Sequence, residues 1–274
     1  MRPWKRKPKS CEMNEMSATI DKKQVRRAFS RHGGGGDLTS EIADRLAARL
    51  EEIDMSPKWI VDVGGDGKTM RERFPNSNVA AADFALPRLR PQAHVFRALA
   101  DAECLPFADA STDVVWSNLC FDWTDIKKAL AEAARVLRPR EGLLIFSMLG
   151  RDTLREARAV FSSDRFHEFL DMHDIGDMLS HGGFSEPVLE TEHITLTYAD
   201  ARAAMREIHE AGCGCALTSR ARGLTGKNTW QKAMTEYAKQ FSDNDGRVPA
   251  TYEIIYAICW RGDGGEKVVH IVPR

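Results

Sequence analysis

Apolar positions recur along this chain first at helical spacing and then in short runs of the kind that form strands. Residues 21–31 place Val25, Ala28 and Phe29 on one side of an amphipathic helix. Glycines at 33–36 break it, and residues 39–53 resume the helical period with Ile42, Leu46 and Leu50; Thr39 or Ser40 is the expected cap. Short apolar runs and helical stretches then alternate. Strands are expected from Trp59 and over 79–82, 95–98, 113–117 and 143–146, with helices over 71–74 and 126–137. That alternation predicts an α/β fold whose parallel sheet is covered on both faces.

Beyond Gly150 the rhythm changes. Helices are expected over 152–161 and 166–181, the second stopped by Gly182 and Gly183. Residues 187–197 supply a strand or two, 200–211 a helix, and 212–226 a loop rich in glycine and arginine. A helix over 230–241 precedes 251–260, a strand strong in aromatic and β-branched residues. No internal repeat is visible.

Composition narrows the function classes. With 29% charged and 43% hydrophobic residues among 274, a packed soluble domain is expected rather than disorder. A net charge of -1 gives no case for nucleic acid or a membrane surface, and no apolar run reaches the ~18 residues that span a bilayer. Residues 1–20 are basic and lack the apolar core of a signal peptide, so they read as a disordered tail ahead of one domain over 21–274. Of six cysteines only Cys213 and Cys215 are close, and no second pair or histidine cluster joins them; no metal site is expected, and the thiols fit a reducing cytoplasm.

The candidate chemistry lies where the strands end. Asp62 closes the first run and is followed by Gly64, Gly65 and Gly67, which let backbone approach a ligand. Asp83 closes the second, where a carboxylate can accept hydrogen bonds from ribose hydroxyls. Asp101 and Ala102 follow the third, and Asn118 the fourth. Four polar loop tips on one edge of a parallel sheet indicate a nucleoside site.

Further blocks carry a resemblance. They run from Arg26-Arg-Ala-Phe-Ser-Arg31 through Asp101-Ala-Glu-Cys-Leu-Pro-Phe-Ala-Asp109, Val115-Trp-Ser-Asn-Leu119 and Ala133-Ala-Arg-Val-Leu-Arg-Pro139. Phe146-Ser-Met-Leu-Gly-Arg-Asp-Thr-Leu154, His173-Asp-Ile-Gly-Asp177, Gly183-Phe-Ser-Glu-Pro-Val188, Gly223-Leu-Thr-Gly226 and Asp245-Gly-Arg-Val-Pro-Ala-Thr-Tyr-Glu-Ile-Ile-Tyr256 complete them. The chain resembles class I S-adenosylmethionine-dependent methyltransferases and, more narrowly, the malonyl-acyl-carrier-protein O-methyltransferases of biotin synthesis. The resemblance implies a Rossmann-like, mostly parallel seven-stranded sheet with lid elements from about 21–55 and 151–245. It implies S-adenosylmethionine as cofactor, malonyl-acyl-carrier protein or malonyl-CoA as substrate, and a cytoplasmic monomer. Asp62, Gly64, Gly65, Gly67, Asp83, Asp101, Ala102 and Asn118 would hold the cofactor. Arg155 and Arg158 are the candidates for the substrate carboxylate, with Arg220, Arg222 and Arg247 behind them, because a guanidinium fork matches a carboxylate. Arg202, Arg206, Arg220, Arg222 and Lys227 could receive an acidic carrier protein.

The chain departs from that family at three places. His32-Gly-Gly-Gly-Gly-Asp37 lacks the tyrosine relatives carry after Phe-Ser-Arg, and Ile258 stands where they often have histidine. The interval from Asp62 to Arg71 is shorter by about a helical turn. Two other readings stay open: a non-catalytic paralogue that binds or assembles, and a protein like the complex I assembly factor that hydroxylates an arginine, which shares the region around 248–252.

Overall fold

Seven apolar runs become seven strands of one sheet. In chain order they are β1 (Trp59–Val63), β2 (Asn78–Asp83), β3 (Val95–Leu99), β4 (Val114–Asn118), β5 (Leu143–Leu149), β6 (Phe184–Tyr198) and β7 (Val248–Arg261). The helices are α1 (Lys22–His32), α2 (Asp37–Glu51), α3 (Lys68–Arg73), α4 (Ile126–Val136), α5 (Arg155–Val160), α6 (Met172–His181), α7 (Ala201–Glu210) and α8 (Lys227–Phe241). This computed structural model describes residues 20–32, 36–162, 165–210, 214–220, 223 and 225–263. The tail at 1–19 and residues 212, 213, 221, 222 and 224 of the 212–226 loop therefore lie outside the described residues.

The strand order is β3-β2-β1-β4-β5-β7-β6. The pairs among β1 to β5 are parallel, and β7 runs antiparallel to both β5 and β6. Alternate residues of the central strands enter two separate cores. Val61, Val63, Val115, Leu144 and Phe146 pack with Ala129, Leu130 and Ala133 of α4 and with Ile175 and Leu179 of α6. Ile60, Val114, Trp116, Leu143 and Ile145 pack with Ile42, Leu46 and Leu50 of α2. A sheet covered on both faces needs apolar side chains at every position, which is why these strands read as continuous runs. Each fully buried side chain of this size contributes about 1.5–3 kcal/mol.

Several boundaries differ from the sequence pattern, each for a local reason. α2 starts at Asp37 with Gly36 as its N-cap, so neither Thr39 nor Ser40 caps it; Asp37 in the first turn complements the helix dipole instead. α6 starts only at Met172, because the Asp171 carboxylate accepts the His173 N–H at 2.9 Å and fixes the start there. α5 is shorter than its periodicity suggests. The Asp152 N–H donates to Glu253 at 2.7 Å and the Thr153 hydroxyl to the Glu253 carbonyl at 3.1 Å, pinning the preceding loop to β7. β6 is interrupted by a register shift between Ser185 and Val188, at Pro187, which has no N–H for the ladder. No helix among the described residues is long and apolar enough to cross a membrane.

Glu156 locks α5 onto the sheet. Its buried carboxylate accepts the Thr251 N–H at 3.0 Å and the Thr251 hydroxyl at 2.5 Å. Glu156→Ala strands a buried N–H and is expected to cost about 1.5–3 kcal/mol. Urea unfolding measures it; a loss below about half a kcal/mol, the level of ordinary surface substitutions, would contradict this role.

Candidate active site

β1, β2, β3 and β4 run parallel, so their carboxyl ends share one edge of the sheet. The turn after β1 is tight and internally bonded. Gly64 and Gly67 have φ of +87° and +78°, a region that L side chains avoid. A Cβ on Gly64 would stand 2.4 Å from the Cys120 Cβ, and one on Gly65 2.4 Å from an Asp62 carboxylate oxygen. The Gly64 N–H donates to the Ala82 carbonyl at 2.8 Å, and the Gly67 N–H to Asp62 Oδ2 at 2.8 Å. Those two donors serve the turn itself. Gly67 caps α3. A cavity of about 340 Å³ lies over the turn, walled by Asp62, Gly64, Gly65, Asp66, Asn118 and residues of α2. Burial raises Asp62 to about 7, against the lowering effect of the Gly67 hydrogen bond.

Asp83 ends β2 and is 4% exposed. Its Oδ1 accepts the Ala85 N–H at 2.6 Å and its Oδ2 the Arg88 Nε at 2.9 Å. Burial raises its pKa, and Arg88 opposes the shift. Arg88 also donates to the Gly64 carbonyl at 2.6 Å and lies over the Phe29 ring of α1 at 4.7 Å. Asp101 is answered in the same way: Lys22 of α1 reaches it at 2.5 Å and Glu103 at 2.7 Å. Asp83, Asp101, Ala102, Gly64 and Cys120 thus surround a cleft of only about 20 Å³, room for roughly one water. Asn118 ties the edge to α2, its Nδ2 donating to the Thr39 carbonyl at 3.0 Å while its Oδ1 accepts from Ser147 at 2.7 Å.

A larger cavity, about 630 Å³, adjoins these two and falls in the size range of small-molecule sites. Its walls come from Phe29, the start of α2, Asn118, Leu119, Trp123, Leu149, Tyr252 and the end of β6 over 194–198. Asp37, Glu41 and Glu207 also line it, and Arg88 is its single cationic wall among the described residues.

The sequence candidates for a carboxylate-binding arginine stand elsewhere. Arg155 is 60% exposed beside Glu156, and Arg158 donates to the carbonyls of Thr153 at 2.8 Å and His167 at 2.6 Å while lying over Phe166. Neither lines any of the three cavities, because α5 sits behind β7 rather than over the strand ends. Arg220 pairs with Asp21 at 2.9 Å, Arg247 donates to the Thr197 carbonyl at 2.6 Å, and Arg222 lies outside the described residues. Arg202, Arg206 and Lys227 are exposed on α7 and α8. Cys120, Cys215 and Cys259 are free thiols, whereas Cys104 is disulfide-bonded, unlike the uniform thiols expected. Sequence reading passed over Arg88, Trp123 and Tyr252. Arg88 had one signal, its place just beyond the second strand-ending acid.

Residues 32–146 match a family profile described as a methyltransferase domain. Over 275 residues the chain is 38% identical to the malonyl-acyl-carrier-protein O-methyltransferase of Gallionella capsiferriformans, covering 91% of this chain and 93% of that one. Over 290 residues it is 39% identical to the protein of the same name from Laribacter hongkongensis, covering 93% and 97%. Among solved structures, the YcgJ protein of Bacillus subtilis shares the fold, with a TM-score of 0.54 at 15% identity over 80% of this chain and 98% of that one.

The Asp62 shift has a testable sign. A native value of about 7 against the ordinary 3.8 means the folded chain keeps a proton the unfolded chain gives up. That contribution is complete below about pH 4 and is lost as pH rises through about 7. Asp62→Asn can still accept the Gly67 N–H, so urea midpoints should fall less from about pH 5 to about pH 8 than in wild type. Equal slopes would contradict the buried, protonated carboxyl.

Proposed function

We propose that this chain, which belongs to the malonyl-acyl-carrier-protein O-methyltransferase family, transfers a methyl group from S-adenosylmethionine to the free carboxylate of a malonyl thioester. The observation that carries the reading is the adjacency of three cavities at one sheet edge: one over the glycine turn, one at Asp83 and Asp101, and one large enough for a substrate arm. All three share the Arg88 side chain as a wall.

The residue set fits the cofactor. Gly64 and Gly65, kept free of a Cβ by Cys120 and Asp62, bring bare backbone to the wall of the cavity over the turn. Asp83 is a buried acceptor at the end of the second strand, and Asp101 and Ala102 flank it. The cations now on Asp83 and Asp101 come from Arg88 and Lys22, so these side chains must yield for a nucleoside to enter. When bound, the cofactor supplies an electrophilic methyl group on a sulfonium.

The chain's own work is positioning. A malonyl carboxylate is ionised at neutral pH, so no general base is needed. Asn118 holds α2 against β4, and Phe29, Trp123, Leu149 and Tyr252 give the large cavity apolar walls that exclude water. Alignment of carboxylate and methyl in such a site supplies most of the rate. α1 and the start of α2 act as the lid, since they close the site from above the strand ends. Arg202 and Arg206 on α7 and Lys227 on α8 favour an acidic carrier protein, with malonyl-CoA as the smaller alternative. The reading places the protein in the cytoplasm as a monomer that binds neither nucleic acid nor membrane.

Mass spectrometry of malonyl-acyl-carrier protein incubated with the chain and S-adenosylmethionine should find one added methyl, as an ester on the malonyl group. Asp83→Ala should lower kcat/KM about 30- to 150-fold, since a buried acceptor of cofactor hydroxyls is worth some 2–3 kcal/mol. Unmethylated carrier protein after full incubation, or an added oxygen on an arginine of another protein, would overturn the proposal.

A further inference from the structure

We infer that Arg88 occupies the nucleoside end of its own cofactor site and, once hydroxyl donors displace it from Asp83, becomes the guanidinium that receives the substrate carboxylate. The inference rests on the function proposed above and adds to it a residue, a specificity and an order of binding.

Three observations converge. The first is position. Arg88 is bonded at the same time to Asp83, the expected ribose acceptor, and to the carbonyl of Gly64 in the cofactor turn. The cleft around Asp83 measures only about 20 Å³ with the guanidinium there. A nucleoside and the Arg88–Asp83 pair therefore compete for one place.

The second is charge. Asp83 is nearly buried and must keep donors, which a vicinal diol can supply in place of a guanidinium. Arg88 has a side chain only 13% exposed, so on losing Asp83 it gains little hydration in exchange. Breaking one partner out of such a pair is costly unless another anion arrives.

The third is the large cavity. Among the described residues its charged walls are Asp37, Glu41 and Glu207 against the single cation Arg88. Among these charges a carboxylate entering that space is attracted by this guanidinium alone, whose planar fork binds carboxylates through two parallel hydrogen bonds. Arg88 closes a three-residue 3₁₀ turn, Leu86–Arg88, beside the strongly exposed Leu86, so its stem is not locked in a long helix. Displacement and capture are then one movement. Cofactor binding releases the arginine that the substrate needs, and by linkage the substrate strengthens the cofactor in equal measure.

The specificity follows. A free carboxylate is accepted, whereas a thioester acyl chain already esterified leaves Arg88 without an anion and is rejected. That favours release of the methylated product.

Calorimetry tests the inference without turnover. S-adenosylhomocysteine is titrated into wild type, Arg88→Met and Arg88→Lys, and malonyl-CoA into each protein with and without saturating S-adenosylhomocysteine. Arg88→Met should bind S-adenosylhomocysteine about tenfold more tightly, as no ion pair is broken. In wild type, S-adenosylhomocysteine should raise malonyl-CoA affinity about tenfold, within the usual range of coupling between sites. Arg88→Met should lose that enhancement, and Arg88→Lys should keep part of it. Malonyl-CoA methyl ester should show no enhancement with any of the three. Equal or weaker S-adenosylhomocysteine binding by a folded Arg88→Met would overturn displacement. Malonyl-CoA affinity independent of S-adenosylhomocysteine in wild type, or preserved enhancement in Arg88→Met, would overturn capture. If S-adenosylhomocysteine binds more tightly to Arg88→Met while malonyl-CoA binds to none of the proteins, displacement stands and the malonyl reading falls with capture.

Discussion

A carboxylate withdrawn from water at the end of a parallel strand has to be answered by donors, and the active edge of this protein is arranged around that requirement. Asp83 is answered by Arg88 and the Ala85 N–H, and Asp101 by Lys22. Among the described residues Asp62 is answered by the N–H of Gly67 alone, and burial keeps its proton on towards neutral pH. The two cationic partners come from outside the strands, Lys22 from α1 and Arg88 from the turn after β2. α1 and the glycine turn are thereby drawn onto these acids at the strand ends. What closes the site is the same electrostatics that would open it, with a ligand's hydroxyls in place of the chain's own cations.

The fold was largely legible because the central strands of the sheet are buried on both faces. Two-sided burial produces uninterrupted apolar runs, and every strand expected from such a run is present. Errors clustered where local hydrogen bonds override periodicity. Residues 166–171 carry helical spacing, yet Asp171 caps the chain one step later and holds them out of α6. The Glu253 carboxylate does the same to 152–154 ahead of α5. These are tertiary or capping contacts, and an apolar pattern does not record them.

The site was legible to the extent that it follows from topology. Parallel strands had to bring Asp62, Asp83, Asp101 and Asn118 to one edge, and they do. On the substrate side the sequence candidates and the cavities diverge. Arg155 and Arg158 were attractive because they follow a family block, but that block folds onto β7, where Arg158 serves backbone carbonyls. Arg88 carried no motif. Its significance comes from distances across three loops, which sequence spacing does not encode. The glycine turn also changed meaning: its brevity leaves Gly67 as the cap of a six-residue helix, with the N–H turned inward to Asp62.

The account's central claim is that Asp83 exchanges Arg88 for a nucleoside at this edge. A crystal structure of the chain grown with S-adenosylhomocysteine tests it most directly. The account predicts ribose hydroxyls on Asp83, the methionine end in the cavity over Gly64 and Gly65, and the Arg88 guanidinium turned into the large cavity. An intact Arg88–Asp83 pair, with the ligand bound elsewhere or not at all, would contradict it.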